Sequence, residues 1–221
     1  MLNMDFSKRV VIDTQYQDWV ASPMAGVWRK PLAREEAERG HATSIVRYEP
    51  GASFSLHDHP NGEEILVLQG TFSDESGDYP AGCYFRNPEG FRHAPFSQDG
   101  CIIMVKLHQF QADDEQHVCI DTQIDALDWF SSGASGQAER KVIPLHSHNS
   151  ESVSLEFWPV GTEIESVEVV GGEEVYIIQG EMIDSQGHYA EGHWVRNPIG
   201  FQCGKRRVEQ DTLFWRKTGH L

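Results

Sequence analysis

The chain is poor in the features that staple or anchor a protein. Its four cysteines, Cys83, Cys101, Cys119 and Cys203, form no C-x-x-C pair, which argues against a zinc ribbon and a disulfide framework and leaves ordinary reduced thiols. Long apolar runs are missing as well. The longest, ILVL at 65–68 and CIIMV at 101–105, are far too short to span a bilayer, and the N-terminus MLNMDFSKRVVIDTQ has no signal-peptide core. A soluble cytoplasmic protein without membrane contact is expected. Positive charge is scarce: 18 Lys and Arg stand against 34 Asp and Glu, a formal net charge of −16, with no basic block. Such a surface repels phosphates and excludes direct nucleic-acid binding.

What the chain does contain is a repeat, and repeats decide the fold. The pairs Gly51/Gly161, Glu63/Glu173, Glu64/Glu174, Gly70/Gly180, Gly82/Gly192 and Gly90/Gly200 all keep an offset of 110 residues. Arg86-Asn87-Pro88 recurs as Arg196-Asn197-Pro198, Trp19 as Trp129, and the tripeptide IDT stands at 12–14 and again at 120–122. Two domains follow, 1–112 and 113–221, joined near QFQADDEQH, each of ordinary single-domain size. Within them short β-rich runs (ATSIVRY, EEILVLQ, CIIMVKL, EVYIIQG) alternate with turn formers (DESG, SQG, PAG, NPEG), the pattern of an all-β sandwich or small barrel. IDALDWFSS (124–132) alone reads as a short helix.

Strand parity places Glu63, Ile65 and Val67 on one face and Glu64, Leu66 and Leu68 on the other. Both faces are apolar beyond the acids, as expected where one lines a barrel and the other packs on a sister unit or a second chain; a homodimer is expected.

The stretch LHDHPNGEEILVLQG (56–70) carries the chemistry. His57 and His59, two apart in a strand, project to one side with Asp58 turned away. The Pro-Asn-Gly turn then brings Glu63 onto the neighbouring strand, and His93 follows on a later one. Three imidazoles and a carboxylate are ligands for one divalent ion. Arg92 turns away from it by parity. Phe85, Phe91 and Phe96, together with Ile65 and Val67, are expected to wall or pack the barrel and to suit a small, partly apolar ligand.

The spacing G51-x5-H57-x-H59-x3-E63-x6-G70, followed by G82-x5-P88-x-G90-x2-H93, resembles the two signature motifs of the cupin superfamily, departing only at Ser97, where Asn is usual. The finer match, with the closing W-x-K-x-G-H-L, resembles the cupin-like domain of the ChrR anti-sigma family and its two-cupin relatives. The resemblance implies two tandem double-stranded β-helix (jelly-roll) barrels and one metal ion per chain held by His57, His59, Glu63 and His93. It favours zinc, while iron(II), manganese and nickel accept the same donors. In the second repeat Val167, Val169 and Cys203 stand where the histidines do and only Glu173 survives, so a metal-free barrel is expected, with a partner needed for that carboxylate. A second H-x-H, His146 and His148, is out of register and reads as loop or surface.

Two functions follow. One is a metal-binding regulatory or sensory bicupin, as the ChrR resemblance implies, lacking the Cys-bearing sigma-binding half and so not expected to grip a sigma factor itself. The other is a metal-dependent dioxygenase acting on a small enolisable compound, as in the more distant acetylacetone-cleaving cupins. Either takes a small-molecule ligand at the metal, and the catalytic question stays open.

Overall fold

The computed structural model describes residues 1–36, 40–123, 130–132 and 139–221. The evenly spaced β-runs become strands of two compact units. The first comprises residues 1–4 and 17–124, the second 5–16 and 125–221. Each is built on a principal sheet with the same strand order.

In the first unit that order is Val118–Asp121, Cys83–Asn87, Glu63–Asp74, Cys101–Leu107, Ala42–Tyr48, Val27–Arg34 and Val20–Ala21. All of these pairings are antiparallel. The Glu63–Asp74 strand is long because it turns a corner, continuing past Gly70 to pair with Gly77–Pro80. Gly70 has φ +72°, and a Cβ there would lie 2.2 Å from the Gly100 carbonyl oxygen; only glycine makes that corner without strain. Short strands at His57–Asp58 and Arg92–His93 pair with each other across the barrel mouth.

The second unit repeats the order as Val10–Asp13, His193–Asn197, Glu173–Gln179, Thr212–Thr218, Glu151–Trp158, Arg140–His148 and Phe130–Ser132. The repeated IDT has a clear job in both units. Thr14 donates its hydroxyl to the Gly192 carbonyl at 2.7 Å, and Thr122 donates to the Gly82 carbonyl at 2.7 Å. Each repeat's leading strand therefore completes the sheet of the compact unit built mainly from the other repeat, so sequence repeat and compact unit differ by one strand.

Parity holds where it was expected. Ile65 and Val67 join Val27, Val46, Tyr48, Phe72, Phe85, Ile103 and Val105 in the first unit's core, where full burial of each such side chain contributes about 1.5–3 kcal/mol. Glu64 and Leu66, on the opposite face, are buried too. The second unit has its own core of Trp158, Val175, Ile177, Met182, Tyr189, Val195, Val208 and Phe214.

Two local expectations differ. Of the stretch read as a helix, 124–129 lie outside the described residues and Phe130–Ser132 is a strand paired with Arg140–Val142. His146 and His148 are not in a loop: they end the Arg140–His148 strand, and His146 is 6% exposed. A bulge between Pro144 and His146 shifts the alternation there, so counting from the flanking residues misjudges which side each histidine faces. All four cysteines are free thiols. No helix among the described residues is long and apolar enough to cross a membrane.

Candidate metal centre

The site begins with a turn. Gly62 N–H donates to the His59 carbonyl at 3.1 Å, with Asn61 at φ +52°, so Pro60 and Asn61 occupy the two central places of a type II turn, where proline and a positive-φ residue belong. Gly62 itself sits at φ +77°, and a Cβ there would collide with the Phe110 ring. The turn delivers Glu63 to the start of its strand directly after the two histidines. His93 arrives opposite His57 in the antiparallel pair of short strands.

His57, His59 and His93 each offer a ring nitrogen within 4.8 Å of the other two. The His59 and His93 Nε2 atoms are 2.8 Å apart, and Glu63 Oε2 lies 3.5 Å from the first and 3.4 Å from the second. All four side chains named from the sequence thus meet at one place. His59, Glu63 and His93 are buried, and His57 is half-buried at the rim.

Supporting groups fix the rings. His57 Nδ1 lies 2.8 Å from the Ser55 carbonyl, and His93 Nδ1 lies 3.1 Å from Asp74 Oδ2. Each contact makes Nδ1 the donor and turns Nε2 inward as the free base, the arrangement that metal-bound histidines use. Tyr79 in turn donates its hydroxyl to Asp74, as does the Ser76 N–H. Phe91 sits edge-on to His93, with ring centroids 5.6 Å apart. Asp74 and Tyr79 escaped the sequence reading. Their recurrence as Asp184 and Tyr189, where Tyr189 also donates to Asp184, was the available signal.

Burial shapes the electrostatics. It pushes the His59 imidazole down to about 3, with His57 and His93 adding to the effect, and lowers His93 against the opposing pull of Asp74. It also pushes the Glu63 carboxyl up to about 8, opposed by the hydrogen bond from Asn87. The His59 and His93 imidazoles are thereby held neutral, the form that ligates a metal. A carboxylate with one amide donor and no Lys or Arg pairing with it among the described residues calls for positive charge from elsewhere, and a divalent ion fits that need.

A cavity of about 240 Å³ opens beside the cluster, lined by His57, His59, Glu63, Tyr48, Phe54 and His108 among others. Ile65 and Val67 lie in the packed core instead of lining this cavity, and Phe85 joins them there. Phe91 lies against His93, while Phe96 and Arg92 are exposed.

In the second unit Val167 and Cys203 face each other as His57 and His93 do. Glu173 is met by a guanidinium. Arg206 donates to both carboxylate oxygens, Arg216 Nε donates at 2.7 Å and Asn197 at 2.8 Å. Burial alone would raise this carboxyl, but the Arg206 and Arg216 charges hold it down at about 2.

Two such jelly-roll barrels in tandem, one carrying an H-x-H…E…H cluster, define a bicupin. A sequence model of the ChrR cupin-like domain matches residues 7–111 and again 116–221, and the chain belongs to that family. No curated protein matches it by sequence. Among solved structures it is similar to a candidate dioxygenase from Nostoc punctiforme (16% identical, 97% of this chain and 84% of that one, TM-score 0.79). It is also similar to the pirin YhhW from Escherichia coli in complex with nickel(II) (10%, 96% and 98%, 0.70). A third likeness is to oxalate decarboxylase from Bacillus subtilis, which has Mn(II) centres (13%, 95% and 76%, 0.59). At these identities the likeness is one of fold.

Proposed function

We propose that the first unit binds one divalent ion through His57, His59, His93 and Glu63, and that the second unit binds none. The contrast between Glu63 and Glu173 carries this reading. Two equivalent buried carboxylates face opposite company: Glu173 has two arginines and stays ionised, whereas Glu63 has neutral imidazoles and an amide. An ion at the histidine cluster supplies to Glu63 the charge that Arg206 supplies to Glu173. When bound, it can polarise an oxygen of a small molecule at an open coordination position. Ser55 and Asp74 hold the imidazoles, Asn87 holds the carboxylate, and Tyr48, Phe54 and His108 shape the space for that molecule.

The ChrR resemblance favours zinc and a regulatory or sensory role in the cytoplasm. A second reading, a metal-dependent dioxygenase for a small enolisable compound, is favoured by the hollow interior beside the cluster. Assembly as a homodimer would draw on exposed apolar side chains such as Val170 and Ile199 and is checked by light scattering.

Elemental analysis of protein purified without added metal, combined with oxygen uptake on a diketone panel, separates the two readings. One equivalent of zinc without oxygen uptake supports the sensor, and iron with substrate-dependent uptake supports the enzyme. His57→Ala and His93→Ala are each expected to abolish binding, while exposed His188→Ala keeps it; metal retained in both cluster variants overturns the ligand assignment.

A further inference from the structure

Arg29 and Arg34 are among the residues that line the cavity beside the histidine cluster, with Arg34 Nε also donating to the Glu36 carbonyl at 2.7 Å. Both belong to the Val27–Arg34 strand. Five residues apart, they would face opposite sides of a regular strand. A bulge between Pro31 and Ala33 resets the alternation and brings both to the same cavity.

The second unit serves as an internal control. Its matching strand, Arg140–His148, keeps the proline and the bulge. Arg29 lies opposite Val46 and Arg34 opposite Ala42; at the corresponding places Val142 lies opposite Glu156 and Ser147 opposite Ser152. Both guanidiniums are gone from the barrel that has also lost all three histidines. Register likewise equates Ile103 with Phe214 and Val105 with Arg216, and Trp158 replaces Tyr48 at the repeat offset. Larger groups thus stand at the places that in the first barrel line its cavity. Arginine pair and histidine cluster are therefore kept together in one barrel and lost together in the other.

We propose that the first barrel binds a short dicarboxylate, with one carboxylate at the histidine cluster and the other held by Arg29 and Arg34. The proposal rests on the metal-site reading and deepens it. The planar guanidinium fork matches a carboxylate. A volume of about 240 Å³ lies below the ~300–1,000 Å³ of drug-sized sites, so the ligand is small. Val46, Ile103 and Leu107 in the wall suit a short aliphatic linker between the charged ends. Tyr48, its phenol kept protonated by burial, adds a hydrogen-bond donor.

The test is isothermal titration of the full chain loaded with one equivalent of zinc. Malonate, succinate and glutarate are the probes, with butyrate and acetylacetone as controls lacking the second charge. At least one diacid is expected to bind about tenfold or more tighter than butyrate, and Arg29→Gln and Arg34→Gln should each remove most of that advantage with zinc content and melting curve unchanged. Diacids binding no better than butyrate, or as well to both zinc-loaded Gln variants as to the parent, overturn the proposal. Failure to take up stoichiometric zinc overturns the underlying metal assignment instead and is seen before any ligand is added.

Discussion

At the scale of single residues, neighbours decide what a carboxylate does. Asp74 touches His93 on the side away from the cluster, so its effect is on ring orientation and basicity. Asp74→Asn is expected to weaken metal affinity by roughly 10–100-fold without unfolding the barrel, measured by competition with a chromophoric chelator; unchanged affinity would make the contact incidental. Glu173 gives a pH signature. Its folded value, about 2, lies below the ordinary 4.5, so the stabilisation it contributes is complete above about 4.5 and is lost as pH falls through 2. Glu173→Gln takes the ionic partner from buried Arg206, costing about 3–5 kcal/mol near neutrality, while Arg216 keeps Glu156. It should also flatten the acid limb of the urea midpoint against pH. Of these residues, the four cluster members were legible from sequence because their spacing matches the cupin signature motifs. Asp74 and Arg206 were not, since each acts across a turn that only the folded chain closes.

At the scale of elements, the leading strands and the bulges matter most. Val10–Asp13 covers the edge of His193–Asn197 in the second unit, and Thr14 pins it to Gly192. Deleting residues 5–16 should raise hydrogen exchange along His193–Asn197 while leaving Cys83–Asn87 protected, because the latter is covered by Val118–Asp121. Equal exposure of both edges would count against this pairing. The alternation of EEILVLQG was readable because a strand has period two. The bulges in Val27–Arg34 and Arg140–His148 were not, since one extra residue has no compositional mark, and both the Arg29/Arg34 pair and the burial of His146 depend on them.

At the scale of the whole molecule, one repeat carries the histidine cluster with a cavity beside it, and the other an arginine-bound carboxylate. An ion that binds only the folded first unit stabilises it by mass action, about 2.7 kcal/mol at a hundredfold excess over Kd. Chelation is therefore expected to lower the unfolding midpoint reported by strands of the first unit. Buried Trp194 and Trp215 of the second should report a midpoint that metal does not move. An equal shift in both would mean that the second unit also holds an ion.

The sequence by itself determined the duplication, the all-β class and the four-residue cluster, because repeat offset, strand period and turn residues are local or periodic properties written in order along the chain. Tertiary structure decided which carboxylate meets arginine, which repeat each leading strand completes, and where open volume remains. Those outcomes depend on side chains distant in sequence sharing one interior, and no spacing rule counts the volume left between them.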